Sequence, residues 1–134
     1  MSAPDRFFDT NILLYLLSSD AGRAAKAEAL ISEGGRISVQ VLNEFASIAT
    51  RKLNMSHAEV REVLAPIRTL CSVEPLTAEI HDLGLQLAER YRLSIYDTTI
   101  VASALSSGCR TLFSEDMQAG QIIERKLRIT NPFA

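Results

Sequence analysis

Several residue types are scarce in this chain of 134 residues, which contains no tryptophan, two cysteines and two histidines. Aromatic residues make up 6% of the chain, so stacking of nucleobases on aromatic rings is expected to supply little binding energy. The longest unbroken apolar run, residues 12–17, is far shorter than the ~20 residues that span a bilayer. Asp5 and Asp9 interrupt the amino terminus, and neither a basic leader nor a signal-peptide core is present. These features predict a cytoplasmic protein without a membrane partner.

The cysteines and histidines do not form a metal-binding pattern. Cys71 and Cys109 lack the short spacing of metal ligands and are predicted to be reduced, buried thiols. His57 and His81 lie among charged residues and are predicted at the surface. The net charge is −2, so any contact with nucleic acid must come from local basic patches rather than from bulk attraction.

Short apolar strands alternate with helices along the chain. The predicted strands are Arg6–Phe8, Arg36–Val39, Cys71–Val73, Arg110–Phe113 and Arg128–Thr130. The helical segments between them carry apolar residues at three- and four-residue spacing. This alternation predicts βαβ units and an α/β fold, a three-layer α/β/α sandwich with a short, mostly parallel central sheet. The length fits a single domain over residues 1–134.

Four acidic residues occupy positions where an apolar residue would be expected. Asp9 and Asp116 each follow a predicted strand, at the carboxyl edge where parallel sheets form ligand sites. Glu44 lies in a helix on the same row as core residues, and Asp97 precedes the buried stripe of another helix. Taken alone, Asp9 would equally start a turn, and Asp97 would equally cap a helix or be a favourable charge at the positive end of the helix dipole. Glu44 has no such capping role.

Convergence of these four carboxylates would require a compensating charge. Two like charges about 4 Å apart repel by about 4 kcal/mol at an effective dielectric near 20. Hard oxygen ligands without Cys or His match Mg²⁺ or Mn²⁺. Such ions polarise phosphates and activate water, so an acid-only metal site indicates phosphodiester chemistry.

Around these acids the sequence resembles the PIN-domain family, and within it the VapC-type ribonuclease toxins of bacterial toxin–antitoxin pairs. Four segments look like the family's acidic motifs in order, and a fifth is typical of one toxin subgroup. They are Phe7–Leu13, Val41–Phe45, Ser94–Ala102, Leu112–Gly120 and Ile129–Phe133. The resemblance covers essentially the whole chain.

The resemblance implies an endoribonuclease that cleaves RNA phosphodiester bonds with metal-activated water. The cofactor would be Mg²⁺ or Mn²⁺, and the enzyme would be a homodimer held inactive by an antitoxin protein. By carry-over, the catalytic and metal-binding residues are Asp9, Glu44, Asp97 and Asp116. Thr10 and Asn11 would tie the first loop, and Ser114 would hydrogen-bond near the metal or the phosphate. Asp116 is favoured over its neighbour Glu115 as the inward-facing acid.

Three other interpretations remain open from the residues. A haloacid-dehalogenase-like phosphatase would need a second aspartate where Asn11 stands, and a phosphate-binding receiver would need a lysine after a late strand. A catalytically silent PIN binding module would not need the four acids. For an RNA substrate, the candidate phosphate contacts are Arg23, Lys26, Arg51, Lys52, Arg90, Arg92 and Arg110.

Overall fold

The computed structural model describes residues 5–133, which form one six-stranded sheet flanked by helices. The strands are β1 (Arg6–Phe8), β2 (Gly35–Ser38), β3 (Cys71–Glu74), β4 (Thr111–Phe113), β5 (Ile122–Ile123) and β6 (Leu127–Thr130). The helices are α1 (Thr10–Leu14), α2 (Ala21–Ser32), α3 (Val39–Lys52), α4 (His57–Leu70), α5 (Ala78–Tyr91) and α6 (Ile95–Ser106). The predicted fold class, a mostly parallel central sheet between helices, is confirmed.

The strand order is β3-β2-β1-β4-β6-β5, and every pairing is parallel except that of β5 with β6. The chain moves outward from β1 to β3 and then returns across the sheet to β4. Right-handed crossovers therefore place α1–α4 on one face and α5 and α6 on the other. The order reverses between β1 and β4. Ligand sites of open α/β sheets form at such a reversal, outside the carboxyl ends of the strands.

Side-chain caps explain where most helices begin. Asp20 accepts hydrogen bonds from two amides of the first turn of α2, and Thr77 caps α5 in the same manner. The spacing of Ser56 and Glu59 in the sequence predicts a capping box, and the two residues form one at the start of α4. Ser94, rather than Asp97, caps α6, so the cap interpretation of Asp97 is wrong.

Two local predictions differ from the structure. The apolar residues Ile12, Leu13, Leu16 and Leu17 predict one continuous helix, but the observed helix ends at Leu14 and is followed by a short 3-10 turn, Tyr15–Leu17. The sequence also predicts that Glu124 lies on a solvated helix face. It lies instead in the turn between β5 and β6 with a left-handed φ of 52°, where its carboxylate pairs with Arg90. The strand β5 was not predicted, because two residues are too few to show an alternating pattern.

The core lies between the sheet and its helices. Phe7, Phe8 and Leu112 from the central strands are fully buried. Phe45 of α3 and Ile100 of α6 pack in the same core and are also buried. Cys71 and Cys109 are buried and free, as predicted. Burial raises the pKa of the Cys71 thiol to about 11, so it stays protonated at neutral pH. No helix within residues 5–133 is both long and apolar enough to cross a bilayer.

Gly35 is expected to be intolerant of a side chain because β2 and β1 approach closely there. A Cβ at this position would lie 2.7 Å from a ring carbon of Phe8 and 2.9 Å from the Arg6 carbonyl oxygen. Gly35→Ala should therefore lower the free energy of unfolding by about 1–3 kcal/mol. Gly22→Ala is the matched control, because its Cβ would meet nothing closer than 3.4 Å in a helix that favours alanine. Chemical denaturation of both variants would measure the difference, and equal stabilities would contradict it.

Candidate functional site

Asp9 is a buried carboxylate at the point where the strand order reverses. It follows β1 directly, and its backbone amide donates to the carbonyl of Phe113 at the end of β4, 2.9 Å away. The residue is 4% exposed. Its Oδ1 accepts a bond from the Thr10 amide (2.7 Å), and its Oδ2 accepts from the Ser114 hydroxyl (2.7 Å) and the Asn11 amide group (3.3 Å). The three predicted supporting residues therefore lie around Asp9.

Glu44 extends from the middle of α3 toward the same edge of the sheet. The Thr10 hydroxyl donates to its Oε1 at 2.7 Å, and the Gln40 side-chain amide donates to its Oε2 at 3.0 Å. The Gln40 amide group also donates to the Tyr96 carbonyl at 2.6 Å, and its Oε1 accepts from the Thr99 hydroxyl. Gln40 therefore connects Glu44 to the start of α6, across the two helical layers.

Asp97 and Asp116 complete the predicted set. Asp97 lies in the first turn of α6 and is half-buried, with its amide donating to Ser94. Asp116 lies in the loop after β4 and is exposed. The elements that carry the four acids thus meet at one edge: the ends of β1 and β4, the helix α3 and the beginning of α6.

Electrostatic coupling shows that the acids share one environment. Burial, together with smaller contributions from the charges of Asp97 and Glu44, raises the pKa of Asp9 from 3.8 to about 6 against the opposing effect of the hydrogen bonds from Ser114 and Thr10. Burial is also the main cause that raises the pKa of Asp97, with added contributions from Glu44 and Asp116. Because the charges of neighbouring acids act on both Asp9 and Asp97, no single proton acceptor is assigned.

The chemistry of this cluster fits a divalent cation, although the side chains are not arranged around one. Within residues 5–133, no three Asp, Glu, His or Cys side chains are placed to hold a common ion. Both oxygens of Asp9 and of Glu44 accept bonds from protein donors instead. The donor set is nevertheless entirely oxygen, as Mg²⁺ and Mn²⁺ prefer. None of the six ion pairs described for residues 5–133 neutralises any of the four acids.

Glu115 points to different partners from its neighbour Asp116. Its carboxylate accepts bonds from the Tyr15 hydroxyl and from the Arg23 guanidinium, the latter at 3.0 Å. Arg23 also lies over the rings of Tyr15 and Phe133, 5.3 and 5.7 Å from their centroids. Through these contacts, Arg23 of α2 joins the loop after β4 to the end of the described chain. Asp116 makes none of the bonds of this network, and its charge contributes to the raised pKa of Asp97.

The basic residues predicted to contact phosphate have varied surroundings. Three are already paired with acids: Arg23 with Glu115 and Asp20, Arg90 with Glu124, and Arg110 weakly with Asp5 at 3.6 Å. The exposed candidates outside the described ion pairs are Lys26, Arg51, Lys52 and Arg92.

Gln40 and the Tyr15–Arg23–Glu115 network were missed by sequence reasoning. Gln40 lies four residues before Glu44, and side chains at this spacing are neighbours on the surface of a helix. This spacing could have predicted the hydrogen bond between them. The network joins residues that are up to 100 positions apart, and no local pattern carries it.

Comparison with known structures extends the fold assignment. The chain is similar to VapC20 of Mycobacterium tuberculosis, described as a sarcin–ricin loop cleaving toxin, with 21% identity and a TM-score of 0.68 over 83% of this chain and 89% of that one. It is also similar to a toxin–antitoxin complex from Klebsiella pneumoniae, with 20% identity and a TM-score of 0.71 over 95% and 97%. A third similar structure is VapBC2 from Rickettsia felis bound to a DNA fragment of its promoter, with 18% identity and a TM-score of 0.62 over 94% and 97%.

At these identities the similar structures show the fold alone, and no curated protein sequence matches the chain. The sequence profile of the PIN domain, in contrast, matches residues 6–122, which include Asp9, Glu44, Asp97 and Asp116. The match covers most of the chain and all the elements that meet at the acidic edge. The chain therefore belongs to the PIN domain family.

Proposed function

We propose that this protein is a Mg²⁺- or Mn²⁺-dependent endoribonuclease and the toxin of a toxin–antitoxin pair. The observation that carries the proposal is the cluster of Asp9, Glu44, Asp97 and Asp116 at the sheet edge, which no described basic side chain neutralises. The burial of Asp9 and the repulsion among the acids make this arrangement unfavourable for a scaffold. A silent binding module of the same fold would have no need of it.

In the proposed reaction, water attacks an RNA phosphodiester and leaves a 5′-phosphate and a 3′-hydroxyl. The bound cation would lower the pKa of that water and stabilise the charge on the phosphate. Asp9 and Asp97 would be the principal ligands, as the resemblance to the PIN-domain family implies. Ser114, Thr10 and Gln40 fix the orientation of the acidic side chains. The proton of the attacking water would pass to the coupled acids as a group.

Cleavage assays with defined metal content would test the proposal. We expect purified protein to cleave total RNA with Mg²⁺ or Mn²⁺ and to be inactive when the metal is chelated. The products should carry 5′-phosphates, which ligation to an adaptor would detect. Cleavage that persists in chelator, or products ending in 2′,3′-cyclic phosphate, would overturn the proposed chemistry.

The proposed partners are an antitoxin protein and a second copy of the chain. The similar structures from Klebsiella pneumoniae and Rickettsia felis are toxin–antitoxin assemblies, which supports the first. A small protein encoded beside this one should co-purify with it and suppress its RNA cleavage. Light scattering would measure whether the free chain is a dimer.

The two adjacent acids after β4 should differ in their effect on cleavage. Asp116→Asn removes a charge from the cluster and is expected to lower kcat about 10- to 100-fold. Glu115→Gln keeps a hydrogen-bonding partner for Tyr15 and Arg23, so its effect should stay within about threefold, as for a partly exposed ion pair. Equal losses in the two variants, measured on the same RNA, would contradict the assignment of Asp116.

A further inference from the structure

Tyr96 is an exposed aromatic residue in a protein that buries its other rings at least in part. All five Phe and three Tyr residues lie within the described part of the chain, and Tyr96 alone among them is exposed, at 69%. No described side chain or backbone group bonds to its hydroxyl. Packing and hydrogen bonding within residues 5–133 therefore do not account for the position of this ring.

The residue that carries this ring is adjacent in the chain to Asp97 of the acidic cluster. Tyr96 precedes Asp97 in the first turn of α6, and its carbonyl accepts the bond from Gln40 that also fixes Glu44. The backbone that carries the ring is therefore held to the acids by a residue that is itself only 9% exposed. The ring itself remains free to contact a ligand.

A cavity of about 290 Å³ adjoins the ring. It is lined by Gln40, Leu76, His81, Ile95, Tyr96 and Thr99. Its volume is close to the lower end, about 300 Å³, of ligand-binding pockets, and it combines apolar walls with a few polar groups as such pockets do. A flat, partly polar group that stacks on Tyr96 would cover this apolar surface.

We propose that Tyr96 stacks on an unpaired nucleobase of the RNA, in the nucleotide next to the cleaved bond. This inference rests on the proposed function, which places a phosphate of the RNA at the acids. A base of one of the two nucleotides joined by that phosphate would then lie close to Tyr96. Unstacked bases on aromatic side chains are the common mode of single-stranded RNA recognition. The proximity to Asp97 favours the substrate over a protein partner as the occupant.

This placement changes what the composition indicated. Few aromatic residues mean little stacking in total, but one ring at the reaction centre contributes where the substrate must be held. Stacking of one base is worth about 1–3 kcal/mol, which corresponds to about 5- to 150-fold in binding.

The test compares Tyr96→Phe, Tyr96→Leu and Tyr96→Ala on an RNA oligonucleotide that contains a mapped cleavage site. Tyr96→Ala should raise KM about tenfold, and Tyr96→Phe should remain within about twofold of the wild type. The loss should disappear when the stacked nucleotide is abasic, because no base remains to contact. Leu70→Ala is the matched control. Leu70 is also exposed, at 46%, but it precedes β3 and lies at the opposite edge of the sheet.

A spectroscopic measurement separates stacking from a general apolar contact. In the Asp9→Asn protein, which should bind RNA without cleaving it, 2-aminopurine beside the uncleaved bond should be quenched with Tyr or Phe at position 96. Leu or Ala should abolish the quenching. If Leu supports the same KM as Phe, or if the abasic substrate is cleaved equally well, the stacking proposal is overturned.

Two further outcomes would overturn the proposal in distinguishable ways. Normal RNA kinetics of Tyr96→Ala, with weakened self-association or weakened inhibition by an antitoxin, would assign the ring to a protein interface. Failure of the wild-type protein to cleave any RNA with Mg²⁺ or Mn²⁺ would overturn the proposed function itself.

Discussion

Asp9→Asn is expected to lower RNA cleavage by at least about a hundredfold, because it removes the most buried charge of the acidic cluster. The side chain keeps nearly the same shape, and its amide oxygen can still accept the bond from the Thr10 amide. The NH2 group that replaces Oδ2 can only donate, so it cannot accept the bonds from Ser114 and Asn11. KM for RNA should change far less than kcat, since Asp9 is not expected to hold the substrate through a base. Single-turnover cleavage at saturating protein would measure the loss. A variant with at least a tenth of the wild-type rate would contradict the catalytic role of Asp9.

The same variant is expected to be more stable than the wild type at neutral pH. The folded-state pKa of Asp9, about 6, lies above the unfolded value of 3.8, so the folded protein binds more protons between these values. The contribution of protonated Asp9 to the free energy of unfolding is complete below about pH 4, and it is lost as the pH rises through 6. The loss amounts to about 3 kcal/mol at most, at 1.36 kcal/mol for each pKa unit.

Denaturation as a function of pH would test this. The wild type should lose stability between about pH 4 and 7 by more than Asp9→Asn does, because only the wild type titrates Asp9. Added Mg²⁺ should restore stability to the wild type at pH 7, since a cation favours the charged carboxylate. Asp9→Asn should gain less from the metal. Parallel pH profiles for the two proteins would show that Asp9 has an ordinary pKa.

Gln40→Leu is expected to lower kcat about 10- to 100-fold through its effect on Glu44. Leucine fills a similar volume but can neither donate to Glu44 and the Tyr96 carbonyl nor accept the hydrogen bond from the Thr99 hydroxyl. Gln40 is thus a positioning residue, which acts on the site through another side chain. Loss of buried partners should also reduce stability by about 1–3 kcal/mol.

A double-mutant cycle separates positioning from simple destabilisation. In a Glu44→Gln background, Gln40→Leu should lower the remaining activity by less than about threefold, because its target has already been changed. Thr50→Val is a control on the same helix, since the Thr50 hydroxyl bonds to carbonyls of its own helix. Fully additive losses from Gln40→Leu and Glu44→Gln would mean that Gln40 acts on stability alone.

Local sequence determined the elements of this fold and the identity of the candidate acids. Caps such as Ser56 with Glu59, and short strands such as Arg6–Phe8, depend on neighbouring residues, so the pattern alone locates them within a residue or two. Asp9 and Asp116 were identifiable because they follow strands, and parallel strands share one carboxyl edge. The two-residue strand β5 and the turn at Glu124 were not identifiable, because their conformation depends on pairing with β6 and on Arg90.

The tertiary structure alone decided which side chains hold the acids and what lies beside them. Gln40 bonds to Tyr96 and Thr99, which are more than fifty residues away in the chain. Arg23 of α2 pairs with Glu115 and not with Asp116. Exposure of Tyr96 likewise depends on how α6 meets α3, which no composition reveals. Hydrogen bonds and burial between distant segments are set by the packing of the whole chain, whereas helix periods and caps are set within a few residues. The sequence therefore determined which acids form the candidate site. The packing determined how their side chains are oriented and how strongly the fold disfavours the charge of Asp9.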